Sequence, residues 1–293
     1  SGAEANEGAI KLARKYGSIH LNGAYEIITT INSFHGRTLA TMSATGKQKW
    51  KSLYEPKVPG FIHVPLNDFA ALKAAVTDKT CAIMLEPIQG EGGVFELEQD
   101  FISKVRDLCT EKKILLIFDE VQTGLARTGK LFAYEHYGVE PDVMTLAKGI
   151  GGGFPLAALL AKEQFNIFEI GDQGGTYSGQ PLAMAVGLAV MNEVIGKKLA
   201  DNAAQQGEYL KKQLGQIAGR FGLTNIRGRG LLVAFDLPAD KGGEVVGACL
   251  RKGLLVNSPQ PSMIRLMPPL IVTTEETDAM IAILSDVLAD VLP

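Results

Sequence analysis

Apolar and polar positions along this chain follow two periods in alternation. Ala3 to Tyr16, Asp68 to Val76, residues 99–112 and residues 180–194 place apolar side chains at helical spacing. Between them stand short apolar runs: "YEIITTI" (25–31), the weaker "FIHV" (61–64), "CAIMLEP" (81–87), "ILLIFDE" (114–120), "VMTLAK" (143–148) and "LAALLA" (156–161). The later runs lack polar alternation, as buried strands covered on both faces do. Strand after helix after strand predicts an α/β domain on a mostly parallel central sheet with flanking helices, taking ligands at the carboxyl ends of its strands. Farther on come a helix over about 197–221, the strand-bearing "IRGRGLLVAFDL" (226–237), a helix at 243–252, short strands near 254–257 and 263–267, and a last helix at 275–291. That order predicts a smaller C-terminal α+β domain. The boundary falls near residue 195, giving a large domain over 1–195 and a small one over 196–293.

Composition changes this picture little. With 293 residues, 46% hydrophobic and 21% charged, the chain has the make-up of a soluble globular protein of two domains. A net charge of −3 gives no electrostatic basis for nucleic acid or an anionic membrane as partner. Cys81, Cys109 and Cys249 lie far apart in apolar contexts, without zinc-ligand spacing, so they read as core thiols in a reducing compartment. No metal site is expected. With no signal peptide or membrane span visible, a cytoplasmic protein is expected. The chain opens "SGAEANEGAIKLARKYG", without methionine and already in a helical pattern, so a missing N-terminal segment is also expected.

The chemistry concentrates where buried strands end. Glu86 closes "AIMLE", Asp119 and Glu120 close "LLIFDE", and Lys148 closes "VMTLAK" ahead of a glycine run. Parallel strands share one carboxyl edge, so these side chains converge there. Asp119 and Lys148 are separated by one crossover's length, which allows neighbouring strands. Buried acids and lysines are costly unless paired or functional. An acid and an amine facing one cavity suit pyridoxal phosphate: the lysine holds its aldehyde, and the acid keeps its ring nitrogen protonated. "SGAEANEG" offers small residues at a helix start, where exposed N–H groups favour a phosphate. "GLARTGKL" (124–131) approaches a P-loop, but Leu131 stands where the magnesium-holding hydroxyl belongs, and no strand presents it. No dinucleotide fingerprint follows a strand.

Seven segments in order resemble the class III pyridoxal phosphate aminotransferases, in particular the acetylornithine and ornithine aminotransferases. They are "SGAEANEGAIKLAR", "SFHGRTLATMSATG", "EPIQGEGGV", "LLIFDEVQTGLARTG", "LAKGIGGGFPLAALLA", "GGTYSGQPLA" and "IRLMPPLIVTTEE". The resemblance implies a fold-type I transferase with pyridoxal 5′-phosphate as cofactor, Lys148 as its covalent anchor and proton carrier, and Asp119 as partner of the ring nitrogen. It implies Val121 beneath the ring, Phe34 stacked on the other face, and Gln122 at the phenolic oxygen. Gly2 and Ala3, with Ser1 at the rim, would cup the phosphate, and Thr176 would reach the phosphate of a second subunit in a homodimer with shared active sites. For amino-acid and 2-oxo-acid substrates, Arg265 would take the α-carboxylate and Arg37 the distal end. Glu91 would pair with Arg265 until a dicarboxylate displaces it, and Glu86 would line the same site. The implied reaction is transamination of N2-acetylornithine with 2-oxoglutarate. Ornithine, succinyl-diaminopimelate or GABA as donor, an aminomutase or racemase on the same fold, and a cofactor-free remnant are the alternatives. His35 reads as structural, and Arg227 and Arg229 as loop or domain-contact residues. Ser178 and Gln180 depart from the glycine and asparagine of many relatives.

Overall fold

The structure is a computed structural model and describes residues 1–292. In chain order its elements are α1 (Gly2–His20), β1 (Glu26–Thr30), α2 (Leu39–Ala44), β2 (Phe61–Val64), α3 (Phe69–Ala75), β3 (Thr80–Leu85), β4 (Ile88–Gln89) and β5 (Phe95–Glu96). They continue with α4 (Gln99–Lys112), β6 (Leu115–Asp119), β7 (Val143–Leu146), β8 (Ala158–Ala161), α5 (Pro181–Gly196) and α6 (Leu199–Phe221). The last are β9 (Thr224–Arg229), β10 (Leu232–Asp236), α7 (Gly242–Arg251), β11 (Met263–Leu266) and α8 (Thr274–Val291). The chain divides into two compact units. The first holds Ser1–Pro87, Leu97–Gly124 and Tyr134–Asn192; the second holds Ile88–Glu96, Leu125–Ala133 and Glu193–Pro293.

The first unit is built on a six-stranded sheet in the order β2-β1-β3-β6-β7-β8. Pairings from β2 through β7 are parallel, and β8 alone runs antiparallel, against β7. The central strands β3, β6 and β7 are buried at every position, which is why their sequences read as unbroken apolar runs. Ile83, Leu85, Leu116 and Phe118 point to one face with α4 residues Phe101, Ile102 and Val105. Met84, Leu115 and Ile117 point to the other, with α1 residues Ala9, Ile10 and Ala13. "LAALLA", expected as a buried strand, departs from this. β8 is an edge strand of half-buried and exposed residues, with Leu159 partly buried against the α1 cluster and Leu160 exposed. Its apolar composition is that of a core strand; its place at the sheet's end is not.

In the second unit a three-stranded antiparallel sheet, β11-β10-β9, has two apolar faces. Val233, Phe235, Ile264 and Leu266 pack with Leu210 and Leu214 of α6, Val245 of α7, and Leu284, Val287 and Leu288 of α8. The alternate positions, Leu232, Ala234 and Met263, pack with Ile88 and Val94 of the β4–β5 hairpin. A boundary near 195 therefore omits two excursions that belong to this unit, 88–96 and 125–133, which come from the middle of the chain and carry no compositional shift. Residues 254–257, expected as a strand, contribute only one bridge, Asn257 to Arg265. Arg227 and Arg229, expected as loop or domain-contact residues, lie on β9. The start of α8 is set by a reciprocal cap: Thr273 Oγ1 accepts from Glu276 N (3.2 Å) and Glu276 Oε2 accepts from Thr273 N (2.9 Å).

α1 crosses the sheet closely enough to require glycine at one contact. A Cβ on Gly17 would strike the Ala24 carbonyl oxygen and come 2.8 Å from Cys81 Cβ. Gly17→Ala gains about 1 kcal/mol of helix propensity, but forcing α1 off backbone atoms costs about 1–3 kcal/mol. The contact is with backbone, which cannot rotate away, so the cost wins. Gly17→Ala is expected to lower the urea midpoint at unchanged slope; a raised midpoint would show that α1 has room to shift.

Candidate active site

The site is assembled by the carboxyl edge of the parallel strands. Asp119 is the last residue of β6, Glu86 directly follows β3, and Lys148 comes two residues after β7. These strands are consecutive neighbours, with Asp119 in register with Thr145 of β7. After β1, on the far side of β3, the segment Ser33–Arg37 leaves the same edge. The structure therefore brings together the acid, the lysine and the "SFHGR" segment.

Asp119 is the organising group. Only 4% exposed, it accepts hydrogen bonds from Asn6 Nδ2 (2.7 Å) and His35 Nδ1 (2.8 Å) at Oδ2, and from the Val121 N–H (3.0 Å) at Oδ1. A carboxylate can only accept, so the His35 proton sits on Nδ1. Asn6 ties three elements: its amide also donates to the His35 carbonyl (2.7 Å), and its Oδ1 accepts from Thr145 Oγ1 (2.7 Å) on β7. Sequence reasoning passed over Asn6. Its signal is a polar residue on the apolar face of α1, buried among Ala5, Ala9 and Ile10. His35 is fully buried. Burial works against its protonation, but the hydrogen bond and charge of Asp119, with Glu86 beyond, raise its pKa above the ordinary value. Its expected structural role takes the form of a direct contact with the key acid.

Glu86 is 6% exposed and accepts from the Phe34 N–H (2.9 Å). Burial pushes its carboxyl up to about 7; His35 and Lys148 pull it down, and the charge of Asp119 adds to the rise. Phe34 is half-buried, with its ring 5.6 Å from that of Trp50 at 64°. Arg37 is exposed, its guanidinium 5.8 Å from the Trp50 ring. Val121 and Gln122 are half-buried in the turn after β6.

Lys148 opens a 3-10 turn, Lys148–Gly151, and has φ +46, a left-handed conformation that costs a side-chain-bearing residue energy. Gly152 and Gly153 follow, also at positive φ. The glycine run thus lets the chain fold back immediately after the lysine, whose side chain is exposed at the sheet edge. At the start of α1, Gly2 approaches so closely that an added Cβ would lie 2.7 Å from Val121 Cγ1 and 3.4 Å from Ala147 Cβ. Ser1 is exposed, and Gly2 and Ala3 are half-buried there. These residues fit pyridoxal phosphate: an N-terminal helix turn without bulk, a buried carboxylate fed by three donors, and a lysine just past the end of the adjoining strand.

Thr176 is exposed in a turn before α5. Residues 174–179 around it are all exposed. In the second unit, Arg265 of β11 is 8% exposed and donates from Nη1 to Glu91 Oε1 (2.7 Å) and the Gly90 carbonyl (2.8 Å). The expected Glu91–Arg265 pair is therefore formed. The near-P-loop segment 124–131 forms turns followed only by a four-residue 3-10 helix, Ala133–His136, and not by an α-helix. Among the described residues no helix is long and apolar enough to cross a membrane.

The family model for class III aminotransferases matches residues 1–288. The chain is 50% identical over 293 residues to the acetylornithine aminotransferase of Caldanaerobacter subterraneus subsp. tengcongensis, covering 99% of this chain and 75% of that protein. It is 52% identical over 292 residues to the acetylornithine aminotransferase of Gloeobacter violaceus, covering 99% and 73%. Among solved structures it is similar to the ornithine aminotransferase of Toxoplasma gondii, with a TM-score of 0.94 and 32% identity over 99% of this chain and 72% of that one. A transaminase from the marine bacterium Virgibacillus superposes with a TM-score of 0.94 at 29% identity, over 100% and 74% of the two chains. The parallel sheet, the acid and lysine at the ends of its adjoining strands and these matches along nearly the whole chain lead to one conclusion: the chain belongs to the class III aminotransferase family.

Proposed function

We propose that this chain uses pyridoxal 5′-phosphate to move the terminal amino group of N2-acetylornithine to 2-oxoglutarate, giving N-acetylglutamate 5-semialdehyde and glutamate in arginine biosynthesis. The adjacency of β6 and β7, which present Asp119 and Lys148 at one sheet edge, carries the reading. The substrate follows the acetylornithine aminotransferases that the chain resembles at about half identity.

Pyridoxal phosphate, when bound, supplies an aldehyde for amines and a protonated ring that draws electron density from the carbon losing its proton. Asp119 holds the proton on the ring nitrogen, its own position fixed by Asn6, His35 and the Val121 N–H. Lys148 would hold the aldehyde, and its Nζ would take the proton from the amine-bearing carbon and return it. Val121 and Phe34 would bound the ring's two faces, Gln122 would meet its phenolic oxygen, and the N–H groups of Gly2 and Ala3, with Ser1 beside them, would receive the phosphate.

Arg265 is the receiver for a substrate carboxylate, and Glu91 is its internal stand-in while the acylated donor is bound. The supporting observation is their 2.7 Å ion pair, largely withdrawn from water. A glutamate or 2-oxoglutarate carboxylate replaces Glu91 with little change in charge, which keeps the buried guanidinium paired throughout. Arg37 recognises the distal end of the substrate, and Glu86 lines the site. A cytoplasmic homodimer is proposed, with Thr176 reaching the partner's site. In support, α5 leaves Leu182, Met184, Leu188 and Ile195 exposed, and Tyr177 before it is 82% exposed.

Lys148→Ala is expected to abolish turnover and the cofactor's protein-linked absorption band. Asp119→Asn should retain cofactor yet slow proton removal by about 100-fold or more; near-normal rates would remove Asp119 from the mechanism. Single half-reactions with acetylornithine, ornithine, succinyl-diaminopimelate and GABA test the donor: acetylornithine should react with the highest kcat/KM and require 2-oxoglutarate for turnover. No reaction with it would defeat the substrate assignment, and product without 2-oxoglutarate would favour the mutase or racemase alternative. Leu188→Glu is expected to convert a dimer in sedimentation equilibrium to monomer; an unchanged mass would move the interface elsewhere.

A further inference from the structure

The exchange of Glu91 for a substrate carboxylate requires a side chain that leaves Arg265 and a backbone that stays. The hairpin carrying Glu91 has little means of its own to stay. β4 and β5 are two residues each, and Ile88 and Val94 are its buried contacts with the sheet beneath. Its turn is also unfavourable, with Gly93 at φ +131 and Val94, a β-branched residue, at φ +58.

The sheet register supplies what the hairpin lacks. Arg265 on β11 and Arg227 on β9 both lie opposite Ala234 of β10, so the two arginines rise from the same face in one row. Arg265 grips the hairpin at Gly90 and Glu91. Arg227 grips it at the other end of the same turn, donating from Nε to the Gly93 carbonyl (2.8 Å), with its guanidinium 4.5 Å from the Phe95 ring. Arg227 is itself held from β10 and β9: Nη1 lies 2.9 Å from Asp236 Oδ1 and donates to the Asn225 carbonyl (2.7 Å). One row beyond, Arg229 pairs with Glu96 at the hairpin's end.

We infer that Arg227 is a positioning residue for the amino-donor and keto-acid exchange: it pins the Gly93 end of the turn so that Glu91 returns to Arg265 after each dicarboxylate leaves. The inference rests on the Glu91–Arg265 reading above. With Arg227 in place, the Glu91 carboxylate is held ready at high effective concentration and competes with any external carboxylate. Without it the turn wanders, Glu91 competes less well, and discrimination between the acylated donor and glutamate shifts. Arg227 touches neither substrate nor cofactor in this scheme.

The test compares Arg227→Gln, Arg227→Lys and Glu91→Gln holoenzymes. Calorimetric affinity for glutarate, a dicarboxylate probe that does not react, is measured with KM and kcat for both half-reactions. Arg227→Gln should bind glutarate about 3- to 10-fold more tightly and raise the KM for acetylornithine, with kcat within about twofold. Arg227→Lys, which keeps the charge over Phe95, should recover part of the shift. Glu91→Gln should move glutarate affinity the same way and further. Equal losses in both half-reactions, or unshifted glutarate affinity in Arg227→Gln while Glu91→Gln shifts it, would overturn the positioning role alone. If Glu91→Gln itself leaves glutarate affinity unmoved, the exchange reading falls and takes this inference with it.

Discussion

A carboxylate withdrawn from water must be given donors, and the burial of Asp119 at the end of β6 sets the terms for the first unit. Its three donors come from α1, the segment after β1, and its own turn. Each must be delivered to within hydrogen-bonding distance, so helix, sheet and loop are placed relative to one another by one acid. Asn6 shows how tight the arrangement is, since the same amide group also meets Thr145 on the next strand. An unpaired buried carboxylate would cost several kcal/mol. The helix that supplies Asn6 also supplies the small residues at its start, so holding the acid and leaving room beside it are linked tasks.

The second unit solves a different problem with the same economy. Its short sheet has helices on one face and a borrowed hairpin on the other, and strict alternation along β10 separates the two environments. Arginines take positions on the hairpin side because they bridge from a sheet surface to exposed carbonyls and carboxylates in a fixed planar geometry. Arg265 is the most buried of them, which makes its pairing with Glu91 a matter of stability as well as recognition.

Much of this was legible in the sequence, for reasons that differ by residue. β3, β6 and β7 announce themselves because full burial leaves no polar position, and Asp119 and Lys148 stand out as the charges that end such runs. α4 and α8 are readable as helices from their composition and pattern. β8 was misread because apolar residues are spent there without burial within this chain. Residues 88–96 could not be placed, since nothing local says that a hairpin between two strands of one sheet will pack on strands more than a hundred residues later. Asn6 escapes the sequence for a related reason: a polar residue in an apolar stretch is visible, but its partner is not. Arg227 and Arg229 read as loop or domain-contact residues because Gly228 and Gly230 hide the alternation of β9.

The borrowed hairpin also imposes an order on biosynthesis. A ribosome releases Ile88 and Val94 well before Leu232, Ala234 and Met263, the residues that cover them. Until the last quarter of the chain emerges, these two apolar residues have no surface to rest on. The nascent molecule can therefore complete its parallel strands early, yet must carry an unseated loop until β10 and β11 are made, a window in which chaperone capture and proteolytic nicking would concentrate at residues 88–96.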